Sequence, residues 1–304
     1  MRVRHLSKIA ISLALVVSSN LYAQNSKEYI YLSGTRFTYP IIEKWITEYR
    51  KVNPTAKIKL QYSKLKSDST NLKVVANNIA SNDLKSGEQF FRVNRYALLP
   101  IANERNLEFK KAFKKGLKQQ DLRKIFFNDP NSIFEEAEVK KPSYTIYTQA
   151  NLANSSIAFA NHFGQLPTGF KGKKISGDDQ YLTLAVQKDT TGVTYNNLGY
   201  IFDVNNRLPV KGIKVVPIDL NENGKIDKDE QIYDNLDVLT SYIENHQESK
   251  AIPIEYISFV VNKNNNNLAV QKFVNWVLTE GQKYNHTFGF LNNDNSTKTI
   301  SQNL

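Results

Sequence analysis

The strongest constraint on the fold is a strand–turn–helix–strand pattern near the start of the chain. Residues 29–33 (YIYLS) are typical of a β-strand, and residues 34–37 are typical of a turn. Apolar side chains then recur at helical spacing up to Arg50, with Thr38 as the expected N-cap, and residues 57–62 (KIKLQY) alternate as a second strand does. This order predicts a βαβ unit and therefore an α/β fold that contains parallel strands.

Similar segments recur along the rest of the chain. Strand-like runs occupy residues 96–101, 144–148, 192–203, 213–218 and 252–261. Segments with helical character occupy residues 110–127, 155–163 and 268–283. The first helix is expected to bury one face, formed by Ile41, Ile42, Trp45, Ile46 and Tyr49.

Composition allows a packed core but excludes several kinds of active site. Hydrophobic residues make up 40% of the 304 positions, and the absence of cysteine excludes disulfides, thiolate metal sites and cysteine nucleophiles. The four histidines do not lie at metal-ligand spacing, and there is no G-x-S-x-G, H-E-x-x-H or P-loop motif. Asp178 and Asp179 are adjacent carboxylates, but the polar stretch around them is typical of a surface loop. The residues therefore offer no catalytic constellation, and we do not expect an enzyme.

The first 23 residues are predicted to be a cleaved signal peptide. Arg2, Arg4 and Lys8 precede an apolar run over residues 9–19, and the small residue Ala23 follows. The run is too short to span a bilayer. Removing the peptide lowers the formal charge from +11 to +8. We therefore expect a soluble, monomeric periplasmic protein whose basic surface meets anions and not nucleic acid.

The turn after the first predicted strand is a candidate anion site. Its backbone N–H groups and the N-terminus of the following helix carry partial positive charge. Ser33, Gly34, Thr35 and Arg36 would surround a ligand, with the hydroxyl of Thr38 nearby. Because every strand-to-helix turn offers such groups, this segment alone is a weak indication of an anion site.

Residues 219–230 (DLNENGKIDKDE) match the calcium loop of an EF-hand. Oxygen ligands stand at the required positions, and Gly224 stands at the sixth, where the loop must turn sharply. The expected ligands are Asp219, Asn221, Asn223, the carbonyl of Lys225 and Glu230, with Asp227 at the ninth position. A polar Asn/Gly turn is the alternative interpretation. Because a strand rather than a helix precedes the loop, we expect calcium to act as a structural clip and not as a switch.

Several segments together resemble the phosphate-binding proteins of bacterial phosphate ABC transporters. Residues 33–45 (SGTRFTYPIIEKW) share the Gly-containing turn of that family, followed by its F-x-x-P and K-W residues. Residues 116–126 resemble its second-lobe helix, residues 96–101 and 252–261 its two crossover strands, and residues 273–291 its closing helix and loop.

This resemblance implies a two-lobed, type II periplasmic binding protein fold with two crossover strands. One lobe would comprise residues 24–95 and 256–304, the other residues 96–255, and an anion would bind between them. The binding motifs of the family fall on three groups of residues in this sequence. These are Arg36 and Phe37 in the first turn, Ser67, Asp68 and Ser69 (with Thr70) in a second loop, and Gln149, Asn154 and Ser155 in the second lobe.

Two exchanges alter the implied site. The first-turn Thr of the family is Arg36 here, and its second-lobe Arg is Gln149. We therefore expect Arg36 to supply the guanidinium from the first lobe, since a bidentate Arg suits a tetrahedral oxyanion. The acidic residue that accepts the proton of hydrogen phosphate has no clear counterpart, with Asn77, Asn78 and Asp68 as the nearest candidates.

Two functions are compatible with these residues. The first is capture of an oxyanion, with phosphate as the leading candidate, for an ABC permease. The second is a binding-protein fold whose anion site has degenerated, and which serves as a calcium-clipped interaction module in the cell envelope. The two differ in what they predict for the cleft. A binding protein needs convergent donors with Arg36 pointing inward, whereas a degenerate fold would fill the cleft with its own side chains.

Overall fold

A computed structural model describes residues 29–62, 70–79, 83–128, 143–246, 250–265 and 267–294. The predicted signal peptide, residues 1–23, and three predicted ligand residues, Ser67, Asp68 and Ser69, lie outside these ranges. Within the ranges, no helix has both the length and the apolar character needed to cross a membrane.

The described residues form one sheet of nine strands. The strands are β1 (Ile30–Gly34), β2 (Ile58–Leu60), β3 (Leu72–Val75), β4 (Glu88–Asn103), β5 (Thr145–Gln149), β6 (Lys173–Ile175), β7 (Gly192–Asn197), β8 (Ile213–Val215) and β9 (Ile254–Asn262). Their order across the sheet is β2-β1-β3-β9-β4-β7-β5-β6, and β8 pairs with β4. Strand β1 is parallel to β2 and β3, and β5 is parallel to β6 and β7, so the prediction of parallel strands is confirmed.

Helices pack around this sheet. They are α1 (Tyr39–Val52), α2 (Ala112–Lys115), α3 (Gln119–Phe126), α4 (Asn154–His162), α5 (Gln180–Lys188), α6 (Leu198–Ile201), α7 (Leu236–Asn245) and α8 (Leu268–Leu278).

Strands β4 and β9 connect the two halves of the sheet. They pair antiparallel over Glu88–Ala97 and Ile254–Asn262. Beyond this region, β4 pairs with β7 through residues 98–102, while β9 pairs with β3 on its other edge. The molecule is therefore divided into two lobes, one built on β1–β3 and the other on β5–β8. The residue boundaries predicted for these lobes, 24–95 with 256–304 and 96–255, stay a prediction.

Each lobe has its own apolar packing. In the first lobe, the predicted face of α1 is buried, and its Trp45 side chain is 0% exposed. The Trp45 indole N–H donates to the carbonyl of Gly281 at 2.9 Å, and its ring meets Phe259 edge-on. In the second lobe, Phe159 stacks on Tyr195 with ring centroids 4.0 Å apart.

Two predicted elements differ from the structure. The helix expected over residues 110–127 is interrupted at Gly116, whose φ of +72° ends α2, and Leu117 then pairs with the carbonyl of Pro217. The strand expected over residues 192–203 ends at Asn197, where α6 begins. Helices α5 and α7 were not predicted at all.

Candidate functional site

The N-terminal ends of two helical segments meet between the lobes. After β1, a single 3-10 turn (Arg36–Thr38) leads into α1, and after β5 the chain enters α4 at Asn154. The Asn154 side-chain amide donates a hydrogen bond to Thr35 Oγ1 at 2.6 Å. The structure therefore brings together two of the residue groups that the sequence assigned to one ligand site.

Gly34 shapes the first-lobe side of this junction. Its φ is +143°, and a Cβ atom there would lie 2.1 Å from the carbonyl oxygen of Val74. A side chain would therefore push β1 away from β3. The next residue, Thr35, donates its N–H to the same carbonyl at 3.2 Å. Ser33 lies further back, with its hydroxyl 3.2 Å from the hydroxyl of Thr70.

Thr38 is the N-cap residue of α1, as predicted. Its hydroxyl makes no capping hydrogen bond and donates instead to the carbonyl of Thr35 at 2.6 Å. The side chain of Phe37 is buried against Tyr96, with ring centroids 4.9 Å apart, and near Phe290. Phe37 thus anchors the turn through its ring, and only its backbone could face a ligand.

Arg36 reaches from the first lobe to the second. Its Nη1 lies 3.3 Å from Asp178 Oδ2 and 3.4 Å from Oδ1, and its side chain is 61% exposed. The guanidinium is therefore at the mouth of the junction and is paired with an acid. An exposed pair of this kind has a small net energy, and a better bidentate partner can replace it.

The second-lobe residues converge on one carboxylate. Asp179 Oδ1 accepts hydrogen bonds from Gln149 Nε2 at 2.9 Å and from Ser155 Oγ at 3.1 Å. The backbone carbonyl of Asp179 accepts from Asn196 Nδ2 at 2.7 Å. Asp179 is only 7% exposed, so the expectation that Asp178 and Asp179 both lie on a surface loop is wrong for Asp179.

Burial changes the acidity of this carboxyl group. Desolvation raises the pKa of Asp179, the hydrogen bonds from Ser155 and Gln149 oppose that shift, and the nearby negative charge of Asp178 adds to it. Among the described residues at the junction, Arg36 supplies a cation, and Asp178 and Asp179 supply two carboxyl groups. If both carboxyls were ionised the junction would repel an anion, so an anion favours the protonated form of Asp179 or must bring a proton of its own.

Two candidates for the missing proton acceptor, Asn77 and Asn78, are engaged elsewhere. Asn78 Oδ1 accepts a hydrogen bond from Arg92 Nη2 at 3.1 Å, and the side chain of Asn77 turns to the carbonyl of Asn78. Asp68 lies outside the described residues. Asp179 is therefore the acid that the described part of the chain places closest to the predicted ligand residues, and sequence reasoning missed it.

The predicted calcium loop closes on itself through its first and last carboxylates. Asp219 Oδ2 accepts from the N–H of Gly224 at 2.6 Å, and Glu230 Oε1 accepts from the N–H of Leu220 at 2.8 Å. Both carboxylates are almost fully buried. Gly224 has a φ of +90°, so the sixth position turns in the conformation that favours glycine.

The other predicted ligands bind one another. Asp227 Oδ1 lies 2.5 Å from Lys225 Nζ, and its Oδ2 accepts from the side-chain amides of Asn221 and Asn223. The hydrogen bond from Lys225 is the main reason why the pKa of Asp227 falls to about 2. Among the described residues, no three acidic or histidine side chains are grouped as metal ligands. The loop has the oxygen donors that calcium prefers, and calcium binding stays a prediction.

No protein-family model matches this chain, and no curated protein sequence does. The fold does match solved structures. One is a protein from Clostridium perfringens that is described as a phosphate ABC transporter substrate-binding protein and was solved with bound phosphate. It superposes with a TM-score of 0.62 at 12% sequence identity, and the match covers 88% of this chain and 100% of that protein. An ABC-type phosphate transport receptor from Vibrio cholerae gives 0.57 at 12% identity, covering 86% and 99%.

These matches confirm the fold that the sequence led us to expect. The chain has the two-lobed α/β fold of type II periplasmic binding proteins, with β4 and β9 as the crossover strands. Full-length CbnR, solved with its target DNA, also matches, with a TM-score of 0.50 at 10% identity over 84% of this chain and 70% of its own. Because proteins with different tasks share this fold, the function has to be argued from the site.

Proposed function

We propose that this protein is an exported solute-binding protein that holds an oxyanion between its lobes and delivers it to an ABC permease. Phosphate is the leading candidate for the ligand. The observation that carries the proposal is the meeting of two helix N-terminal ends at Thr35 and Asn154. Each end leaves backbone N–H groups without a partner inside its own helix, which favours a bound anion. The phosphate-transport proteins with the same fold support this class of ligand.

Arg36 and Asp179 give the site its proposed selectivity. An oxyanion that enters the junction would replace Asp178 as the partner of Arg36 and form a bidentate pair. Asp179 would then accept a hydrogen bond from a protonated ligand oxygen. Sulfate has no such proton near neutral pH, and its approach to an ionised Asp179 would be repulsive. The altered site is therefore expected to prefer phosphate over sulfate.

The same contacts also give the alternative a specific basis. Gln149 and Ser155 already bind the carboxylate of Asp179, and Arg36 already binds Asp178. If these pairs are permanent, the cleft is closed by its own side chains. The protein would then be an interaction module rather than a transport receptor.

Calorimetry with phosphate and sulfate distinguishes the two functions. We expect one saturable phosphate site in the wild type and much weaker binding of sulfate. Arg36→Ala should lower the phosphate affinity by roughly tenfold or more, because a charge-assisted bidentate pair is lost. The matched control is Arg105→Ala, which removes an exposed arginine far from the junction in sequence.

Each other outcome has a defined meaning. No heat from either anion, in protein shown to be folded by circular dichroism, would favour the interaction module. Phosphate binding that Arg36→Ala leaves unchanged would refute the assigned role of Arg36. An equal loss in both variants would show only a general response to net charge.

We also propose that residues 219–230 bind calcium as a structural clip. The turned Gly224 and the closure by Asp219 and Glu230 support this role. Calcium should raise the melting temperature of the wild type relative to a chelator, since a ligand that binds only the folded state stabilises it. Glu230→Gln should abolish that increase, while Asp229→Asn, which changes an exposed acid outside the ligand positions, should keep it. A melting temperature that calcium does not change in the wild type would contradict the proposal.

Export remains a proposal that rests on the first 23 residues. Cleavage after Ala23 would give a mature protein that begins at Gln24. Mass spectrometry of the exported protein measures this directly. A full-length mass in the cell-envelope fraction would contradict cleavage.

A further inference from the structure

A concave site lies in the second lobe, away from the junction of the lobes. It is a cavity of about 270 Å³ between the C-terminal end of α3 and the loop that follows α4. The residues that line it are Gln120, Arg123, Lys124, Phe127, Asn128, Gln165 and Lys171. The junction of the lobes is at the N-terminus of α4, so the cavity is near the opposite end of a helix about 13 Å long.

The walls of this cavity are fixed by backbone pairing. Asn128 donates its N–H to the carbonyl of Gly169 at 2.9 Å, and Lys171 donates its N–H to the carbonyl of Phe126 at 2.8 Å. Between them, the buried ring of Phe127 packs on Phe170, with centroids 4.5 Å apart. The cavity is thus part of the packed lobe and not a gap between two loosely held loops.

The charged side chains among the described residues that line the cavity are all of one sign. Arg123, Lys124 and Lys171 are cationic, and the polar residues beside them are three amides. In the part of the chain that the structure describes, none of the three cations has a carboxylate partner within salt-bridge distance. The junction of the lobes, by contrast, carries Arg36 together with two acids.

A structural explanation accounts for only part of this charge. Cations are favoured at the C-terminus of a helix, where the carbonyl groups are negative. Lys171 fits that role, because its Nζ donates to the carbonyl of Lys124 at 2.9 Å. Arg123 and Lys124 have no such hydrogen bond from their side chains in the described part of the chain. Three clustered cations that have no carboxylate partner among the described residues, beside a cavity, favour an anion that neutralises them.

We infer that this cavity is a second anion site, which binds a small, multiply charged oxyanion. The three cations supply the attraction, and the side-chain amides of Gln120, Asn128 and Gln165 supply hydrogen bonds. The volume is just below the range of about 300–1,000 Å³ that is typical of drug-sized ligands, which limits the occupant to a small molecule. The inference does not depend on the proposed function of the junction.

Inorganic pyrophosphate is a suitable probe, because it is compact and carries several charges. Its affinity should be measured by calorimetry at low ionic strength in four proteins. These are the wild type, Arg123→Gln/Lys124→Gln, the control Lys114→Gln/Lys115→Gln, and Arg36→Ala. The control makes the same change in net charge on the exposed lysines of α2, which do not line the cavity. Thermal unfolding confirms that each variant is folded.

The cavity variant is expected to bind pyrophosphate at least about tenfold more weakly, since it loses two charge-assisted contacts. The control should change by less than about twofold, as expected for screened surface charges. Arg36→Ala should retain this site. A charge-neutral change, Gln165→Trp, should also abolish binding by filling the cavity.

Three results would overturn the inference. The first is an equal loss in the cavity variant and in the lysine control, which would mean that pyrophosphate responds only to net charge. The second is unchanged binding in both Arg123→Gln/Lys124→Gln and Gln165→Trp. The third is loss of binding in Arg36→Ala alone, which would assign pyrophosphate to the junction.

Discussion

Asp179 is the residue on which the chemistry of the junction depends most. It is buried, its carboxylate is bound by Gln149 and Ser155, and it lies next to the acid that pairs with Arg36. A buried carboxyl group with a raised pKa costs stability whenever the pH keeps it ionised. Such a cost is typical of a functional residue, because an amide of the same shape could form the same acceptor contacts without the charge.

Asp179→Asn should therefore separate stability from binding. At neutral pH the variant is expected to be as stable as the wild type or more stable by about 1 kcal/mol, because the desolvated charge is removed while the amide oxygen still accepts from Gln149 and Ser155. Its phosphate affinity should fall by roughly tenfold, because the proton acceptor is lost.

The stability difference between Asp179→Asn and the wild type should depend on pH. The folded state binds the Asp179 proton more tightly than the unfolded chain, so lowering the pH through the raised pKa stabilises the wild type. The advantage of Asp179→Asn should therefore shrink as the pH falls. Chemical denaturation at several pH values measures it. A variant that is less stable than the wild type at neutral pH, with unchanged phosphate binding, would mean that Asp179 is only structural.

Some residues of the junction can be predicted from the sequence, and others cannot. Thr35 and Asn154 follow strands at predictable places, and they do meet. Asp179 was missed because α5, which begins next to it, was not predicted. Helix α5 has two exposed apolar residues, Tyr181 and Leu184, outside its buried face. Because of them, the apolar residues of this segment do not follow the spacing of a one-sided helix.

Among the elements, the break between α2 and α3 shows how tertiary contacts override a local pattern. The basic residues from 110 to 127 favour one continuous helix. Gly116 instead adopts a φ of +72°, and a Cβ atom there would lie 2.6 Å from Ile226 Cδ1 and 2.9 Å from the backbone nitrogen of Asp219. The predicted calcium loop therefore packs directly on the break, and this contact joins residues more than a hundred positions apart. A local pattern carries no information about it.

Gly116→Ala is expected to destabilise the protein strongly. The added methyl group requires a strained backbone and displaces the loop at Asp219, so the free energy of unfolding should fall by about 2 kcal/mol or more. Gly87→Ala is the matched control. Gly87 has a φ of +81° but no atom within 4 Å of an added Cβ, and it should lose only about 1 kcal/mol. Equal losses in the two variants would show that packing against the loop contributes nothing.

At the scale of the whole molecule, residues 286–292 contact the second lobe through charged side chains. His286 Nε2 lies 3.0 Å from Glu244 Oε1, and Arg207 donates to the carbonyls of His286 and Thr287. Burial alone would raise the pKa of Glu244, but hydrogen bonds from His286 and from the N–H of Asn292 hold this pKa below its usual value. Glu244 therefore favours the ionised state in the folded protein.

This ionised state predicts a sensitivity to acid. Because the folded pKa of Glu244 is depressed, its stabilising contribution is present above the unfolded pKa of about 4.3 and is lost as the pH falls through the folded value. Glu244→Gln should remove on the order of 1 kcal/mol at neutral pH and flatten the acid limb of the stability curve. Glu280→Gln, an exposed control, should follow the wild type. A curve for Glu244→Gln that runs parallel to that of the wild type would contradict this assignment.

The overall architecture is the most predictable level. The βαβ opening and the closing helix were visible in local patterns, the crossover role of two strand-like segments followed from the resemblance to phosphate-binding proteins, and the structure contains all of them. The cavity beside α3 was not predictable, because its lining comes from two segments whose pairing depends on the packing of Phe127 on Phe170. The pattern of a single helix shows its cations but not the concave surface that they border.

The location of bound phosphate is the most direct test of the central claim. The measurement is a phosphate titration of ¹⁵N-labelled mature protein, followed by amide NMR shifts. We expect the largest changes at the two helix ends, in residues 35–37 and 154–156, with saturation at one equivalent. Shifts confined to Arg123, Lys124 and Lys171, with the two helix ends unchanged, would contradict the claim and move the anion to the second-lobe cavity.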